Sequence, residues 1–283
     1  MKELCVRANA KLNLTLDVLG KRPDGYHDVR MVLQTIDLCD SVTVRIDSGS
    51  WDCVCGCENV PDGEDNLAMR AARKFCAEAD VSTDGVSISI EKRIPTQAGL
   101  GGGSADAAAV LHALNSLCGE RFSIPKLMEI GASIGSDVPF CVLGGTALAE
   151  GRGEWLTPLP ATPDCAYLLL KPPFSAATPE LYAKLDARGC AVRPDTEGVL
   201  QALFYGDLNG VASRLCNVFQ PILNEDRPIL PLYRRLLGAG ALGAALTGSG
   251  SVVYGIFPDL PAAELAAQSF RDPELLAFVA QNA

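Results

Sequence analysis

The residues best suited to chemistry form one run, Pro95-Thr96-Gln97-Ala98-Gly99-Leu100-Gly101-Gly102-Gly103-Ser104-Ala105-Asp106. It leaves a strand pattern and enters a helical one. Four of the five residues 99–103 are glycine, so backbone N–H groups can converge there without side-chain obstruction. The helix that follows adds its positive end, and the combination suits a phosphate group. Two known phosphate loops do not fit. A Walker A loop needs Gly-Lys-Ser/Thr after four spacers, and no lysine stands here. A dinucleotide fingerprint needs glycine where Ser104 stands. A plain glycine linker is a poor alternative, because the run passes straight into an alanine-rich amphipathic helix.

Two further glycine motifs carry less. Gly238-Ala239-Gly240-Ala241-Leu242-Gly243 matches G-x-G-x-x-G, but the preceding Tyr233–Leu237 reads as helix, the wrong context for that fingerprint. Leu246-Thr247-Gly248-Ser249-Gly250-Ser251 precedes an apolar strand, as a hairpin turn or as a second backbone approach to a bound ligand. Among isolated polar groups, a strand lysine such as Lys11 is ordinarily solvated. Asp137, in Gly135-Ser136-Asp137-Val138-Pro139, would ordinarily cap a helix or turn, and His27 alone reads as a loop histidine. No G-x-S-x-G elbow exists, and only His27 and His112 could serve a hydrolase triad, so hydrolysis ranks low.

The elements that must position these groups follow from periodicity. Residues 11–18 alternate without a break, placing Leu12, Leu14, Leu16 and Val18 toward a core and Lys11, Asn13, Thr15 and Asp17 on the other face. Gly20–Gly25 is a turn or loop. Strand patterns recur at 42–46 and 86–90, with a helix near Leu67–Ala79. Helix follows over 105–118, with Gly119 as its stop, and from Ser123 as N-cap to near Gly135. Residues 156–163 hold three prolines and mark a boundary. Beyond it come a strand at Ala166–Leu170, helices around 179–188, 196–205 and 228–237, and a strand at Ser251–Phe257. Strand runs followed by helices indicate an α+β fold in two domains, 1–158 and 159–283.

Composition narrows the function classes. The chain has 283 residues, 48% hydrophobic and 20% charged, which excludes disorder. A net charge of −10 argues against nucleic acid as partner, and two histidines argue against a His-built metal centre. The N-terminus shows no signal-peptide core and no stretch reaches a membrane-spanning length, so no membrane association is expected. Eleven cysteines suggest free thiols in a reducing cytoplasm, and Cys53, Cys55 and Cys57 lack a second cluster at zinc-site spacing.

In order, Ala8-Asn9-Ala10-Lys11-Leu12-Asn13, Lys21-Arg22-Pro23-Asp24-Gly25-Tyr26-His27, Ala98–Ser104, Gly135-Ser136-Asp137-Val138-Pro139-Phe140 and Thr247-Gly248-Ser249-Gly250 resemble the GHMP kinase superfamily. The segment ending in Tyr26-His27 resembles the branch acting on 4-diphosphocytidyl-2-C-methyl-D-erythritol. The resemblance implies an α/β nucleotide domain, a ferredoxin-like second domain, and an active site in the cleft between them. It implies ATP and Mg²⁺, with Asp137 as catalytic base and Lys11 as the matching lysine. It places Pro95–Ala105 and Asn66 on the nucleotide and Ser104 near phosphate or metal. It places Tyr26, His27 and Tyr182 at the cytosine and Asn13 at the methylerythritol part. Asp106 stands where some relatives carry Asn, and Gln97-Ala98 replace further loop glycines. A GHMP kinase for homoserine or mevalonate is the alternative enzyme, although those substrates offer Tyr26 and His27 no base. A regulator that lost catalysis would lack Asp137 or Lys11. The expected assembly is a monomer or weak homodimer.

Overall fold

Unbroken alternation at 11–18 belongs to a much longer strand. In the computed structural model, which describes residues 2–57, 59–227 and 229–283, β1 (Lys2–Lys21) and its neighbour β2 (His27–Ile46) are each 20 residues long. β1 runs on to Lys21, so the connecting turn starts later than Gly20. Both faces of residues 11–18 are buried, where alternation alone suggested one solvated face. The polar face is buried because its groups find partners: Thr15 Oγ1, for example, accepts from Val32 N at 3.0 Å.

The chain divides into two interleaved compact units, not at the 158/159 boundary expected from the sequence. One comprises Met1–Ala10, Cys39–Thr96 and Gly101–Gly144, and the other Lys11–Leu38, Gln97–Leu100 and Gly145–Ala283. The physical reason is strand length. β1 and β2 each pass from one unit into the other, so no single cut separates them.

The first unit continues with β3 (Asp52–Val54), α1 (Leu67–Glu78), β4 (Val86–Glu91), α2 (Gly102–Leu117), α3 (Ile124–Ala132) and α4 (Val138–Leu143). β4 pairs antiparallel with β2 from Ser41↔Glu91 to Ile46↔Val86, and parallel with β3. α2 buries Ala105, Ala107, Ala108, Ala109 and Ala113, small side chains that let α1 and α4 pack close. It begins at Gly102, three residues before the expected start, because Gly102 and Gly103 themselves take helical conformation and the break falls at Gly101 (φ +71°). Ser123 occupies the N-cap position of α3 without a side-chain capping bond, and α3 ends at Ala132, short of Gly135. Cys53 and Cys55 are buried, and burial raises both thiols, Cys53 to about 12. Among the described residues, no group of three or more His, Cys, Asp or Glu side chains is arranged to hold a metal ion.

The second unit adds β5 (Thr146–Glu150), β6 (Trp155–Pro158), β7 (Ala166–Lys171), α5 (Thr178–Arg188), α6 (Thr196–Tyr205), α7 (Leu208–Ala212), β8 (Cys216–Asn217), α8 (Phe219–Asp226), α9 (Leu230–Gly238), β9 (Gly243–Leu246), β10 (Val253–Phe257), α10 (Leu260–Ala267) and β11 (Leu276–Gln281). Position 228, where a helix was expected to begin, lies outside the described residues. β5 pairs antiparallel with β2 and with β6, and β8 pairs parallel with β1 through Thr15↔Cys216. The other four strands form an antiparallel sheet in the order β11-β7-β10-β9. With helices between β7 and β9 and α10 between β10 and β11, this is the ferredoxin-like β-α-β-β-α-β arrangement. Among the described residues no helix is long and apolar enough to cross a membrane.

One buried charge cluster ties the start of α2 to the sheet of the first unit. Lys92 Nζ donates to Asp106 Oδ2 at 2.7 Å and to Asp40 Oδ2, while Asp40 Oδ1 accepts from Ile94 N at 2.8 Å. Two carboxylates face one ammonium. Burial pushes the Asp106 carboxyl up to about 7; Lys92 opposes the rise and Asp40 adds to it. Folded Asp106 therefore keeps a proton up to about pH 7, whereas an unfolded Asp loses it near ~3.9. The folded state binds more protons across that window, so this residue's contribution to stability falls as pH rises through it. Asp106→Asn removes the penalty. Its melting temperature relative to the parent chain should be more favourable at about pH 8 than at about pH 5, and an equal difference at both would contradict the account.

Candidate active site

The glycine run is shaped by its neighbours on both sides. Its central residues, Gln97–Leu100, belong to the second unit. There Ala98 O accepts from Val252 N at 3.2 Å, Gly99 O from Thr247 Oγ1 at 3.1 Å, and Leu100 O from Lys11 N at 3.0 Å. Gly99 has φ +78°, and a Cβ on it would overlap the Thr247 carbonyl oxygen. Any side chain would be strained and displaced, so the position requires glycine. The turn 247–252 thus links β9 to β10 as a hairpin and also braces the glycine run through its backbone. The turn is a hairpin, and its backbone packs against that of the glycine run.

Lys11 and Asn13 share a face of β1, as the alternation required, but neither is solvated: their exposures are 4% and 1%. Lys11 Nζ donates to Asn13 Oδ1 at 2.7 Å. The same oxygen accepts from Gly248 N at 2.8 Å, and Thr247 Oγ1 lies 3.3 Å away. Asn13 Nδ2 faces Met31 Sδ at 3.3 Å, and Tyr254 OH donates to Asn13 O at 2.8 Å. One amide therefore orients a buried ammonium and anchors the turn that braces the loop. Asn217 completes the anchorage, its Nδ2 donating to Leu246 O at 2.9 Å and Gly248 O at 2.8 Å. Thr247, Asn217 and Tyr254 were not among the sequence candidates. Thr247 had the nearest signal, as the polar residue opening a small-residue turn.

In the first unit, Gly101 to Ala105 enter α2. Its first-turn N–H groups have no carbonyl partner within the helix, which leaves them available to an anion. Ser104 is half-buried in that turn. A Cβ on Gly135 would stand 3.9 Å from Ser104 Oγ, so the turn carrying Asp137 passes beside this hydroxyl. Asp137 is half-buried and occupies the N-cap position of α4, yet its carboxylate makes no capping bond there. The capping role that an aspartate at a turn ordinarily takes is not the one this residue has. Pro95 and Thr96 lead into the loop from the Asp40–Lys92 cluster. Asn66 is buried as the N-cap of α1, with Oδ1 accepting from Ala68 N at 2.9 Å and Nδ2 donating to Pro61 O at 2.8 Å.

The aromatic candidates lie in the second unit. His27 opens β2 and is no free loop histidine. Its ring stacks on Tyr182 with centroids 4.4 Å apart and planes at 28°, and its Nε2 lies 2.7 Å from Asp186 Oδ1. Tyr182 also meets Phe219 edge-on at 4.9 Å. Tyr26 is exposed, with the Arg152 guanidinium 4.9 Å from its ring centroid. Asp186, four residues beyond Tyr182 on α5, was missed by sequence reading.

Residues 66–145 match the family described as GHMP kinases N terminal domain, and residues 207–273 match GHMP kinases C terminal. The 4-diphosphocytidyl-2-C-methyl-D-erythritol kinase of Geobacter metallireducens is 44% identical over 95% of this chain and 94% of its own length. A crystal structure of 4-(cytidine 5'-diphospho)-2C-methyl-D-erythritol kinase superposes with a TM-score of 0.82 at 31% identity, covering 99% of this chain and 100% of that one. The homoserine kinase of Cytophaga hutchinsonii matches 100% of this chain and 95% of its own with a TM-score of 0.78, but at 17% identity that likeness shows the fold alone. The chain belongs to the 4-diphosphocytidyl-2-C-methyl-D-erythritol kinase family of the GHMP kinases.

Proposed function

We propose that the chain transfers the γ-phosphoryl group of ATP to the 2-hydroxyl of 4-diphosphocytidyl-2-C-methyl-D-erythritol, giving the 2-phosphate and ADP in the methylerythritol phosphate route to isoprenoids. The observation that carries this reading is the likeness, over nearly the whole chain, to kinases named for that substrate. Local geometry supports it. The Lys-Arg-Pro-Asp-Gly-Tyr-His segment ends in two rings suited to a pyrimidine, which neither homoserine nor mevalonate would use. Eleven free thiols fit a reducing cytoplasm as the place of work.

Phosphoryl transfer needs alignment, charge neutralisation and removal of one proton from a poor nucleophile. Asp137 is the residue for the proton: it stands at the position of the catalytic base in the motif shared with the GHMP kinases, on a turn that passes beside Ser104. Lys11, its ammonium fixed by Asn13, supplies compensating positive charge. The bare amides of 99–104 take the phosphate oxygens, and the segment at Asn66 takes the adenine side. Tyr26, His27 and Tyr182 take the cytosine.

Ser104 fits Mg²⁺ as a hydroxyl ligand, since its oxygen is a hard donor on the first turn of α2 and is only half-buried. A cation bound mainly through substrate phosphates needs only one or two protein groups. When bound, it neutralises charge on the phosphate oxygens.

Phosphate transfer from labelled ATP, with the cytidyl substrate set beside homoserine and mevalonate, tests the reading; transfer only to one of the latter would overturn it. Asp137→Ala should lower kcat by about 10²–10⁴-fold, and a rate within a few fold of the parent would remove it as base. Gly99→Ala should lower both kcat/KM for ATP and the melting temperature, because the loop must leave its contact with Thr247; unchanged values in both would show that this contact is dispensable. His27→Ala should mainly raise KM for the cytidyl substrate, by about tenfold, and a normal KM would remove it from the cytosine site.

A further inference from the structure

His27 is held by a single helix at two points one turn apart. Tyr182 and Asp186 stand four residues apart on α5, and therefore on one face of it. The first lays its ring on the imidazole at 4.4 Å, and the second accepts from Nε2 at 2.7 Å. Lys21, at the end of β1, donates to the other Asp186 oxygen at 3.0 Å. Stacking fixes the plane of the imidazole, and the carboxylate fixes its rotation within that plane.

We propose that Asp186 is a positioning residue that sets the tautomer of His27 and so makes the site selective for cytosine over uracil. The inference rests on the reading that His27 meets the pyrimidine. The hydrogen bonds from His27 and then from Lys21 hold the Asp186 carboxyl below the usual carboxylate range. An ionised carboxylate only accepts, so the Nε2 facing it carries the ring proton. In the neutral ring Nδ1 then bears the lone pair. Cytosine offers an amine donor at C4, where uracil offers a carbonyl oxygen. An acceptor Nδ1 bonds the amine and repels the carbonyl, so discrimination follows from an attraction and a repulsion at the same atom. Lys21 holds the carboxylate in place from its other oxygen and keeps it charged.

The chain has two histidines, so long-range ¹H–¹⁵N spectra of the full chain, with His112→Gln for assignment, read the tautomer directly. In mildly alkaline buffer His27 should show a protonated Nε2 and a bare Nδ1. A His27 protonated at Nδ1 would overturn the proposal without any variant at 186. Kinetically, Asp186→Ala should raise KM for the cytidyl substrate with kcat within about twofold. It should also cut the cytidyl-over-uridyl ratio of kcat/KM by about tenfold. Asp186→Asn, which keeps an oxygen acceptor, should retain most of the ratio; an unchanged ratio in Asp186→Ala would refute the role. If His27→Ala leaves KM normal, the cytosine reading itself has failed. If His27→Ala raises KM while Asp186→Ala changes neither ratio nor tautomer, only the role of Asp186 has failed.

Discussion

A buried ammonium on a β-strand is costly unless it is paired, and Lys11 Nζ donates to the Asn13 amide oxygen. The same oxygen accepts from Gly248 N, so the partner that stabilises the charge also locates the hairpin turn. That turn in turn holds Gly99 through Thr247. A lysine, a glycine-rich loop and a β-hairpin, more than 200 residues apart at the extremes of the chain, are therefore joined in one hydrogen-bonded network through the Asn13 carboxamide and Thr247. The arrangement leaves little room for substitution. Aspartate at 13 would bring a second charge, leucine would remove the acceptor that Lys11 Nζ and Gly248 N share, and a side chain at 99 would displace the loop from its brace.

The ferredoxin-like sheet has its own part in this. Pairing of β10 with β9 and β7 sets the register that brings Thr247 to the turn and Tyr254 into the core, where its hydroxyl reaches Asn13 O. In the first unit, the Asp40–Lys92–Asp106 cluster does corresponding work for α2. It anchors the first turn of the helix beside the glycines, at the cost of a carboxyl that resists ionisation. Both units thus use buried polar groups to define the positions of backbone that carries no side chains of its own. A glycine-rich loop can present its amides only if something else makes it rigid.

Much of this was legible in the sequence wherever the signal was local. Period-two alternation put Lys11 and Asn13 on one face, and the structure joins them at 2.7 Å. The glycines entering an alanine-rich helix marked the loop, and helical context rightly disqualified the fingerprint at 238–243. What stayed hidden was set by distant pairing. The burial of both faces of β1 depends on Val32, Thr247 and Tyr254, none of which its own periodicity can announce. Asp40 and Lys92 lie 52 residues apart, and His27 and Asp186 are 159 apart. The start of α2 was placed late because glycine propensity argues against helix, whereas tertiary anchorage overrides it. The interleaving of the two units was likewise hidden in two strands long enough to serve both.

The account stands most directly on the coupling of Lys11 to Asn13. A double-mutant cycle with Lys11→Met and Asn13→Leu, read as kcat/KM with ATP and the cytidyl substrate, measures it. If one amide holds one working ammonium, the double variant should be little worse than the worse single variant. Losses that simply multiply would show that the two side chains act independently and would contradict the account.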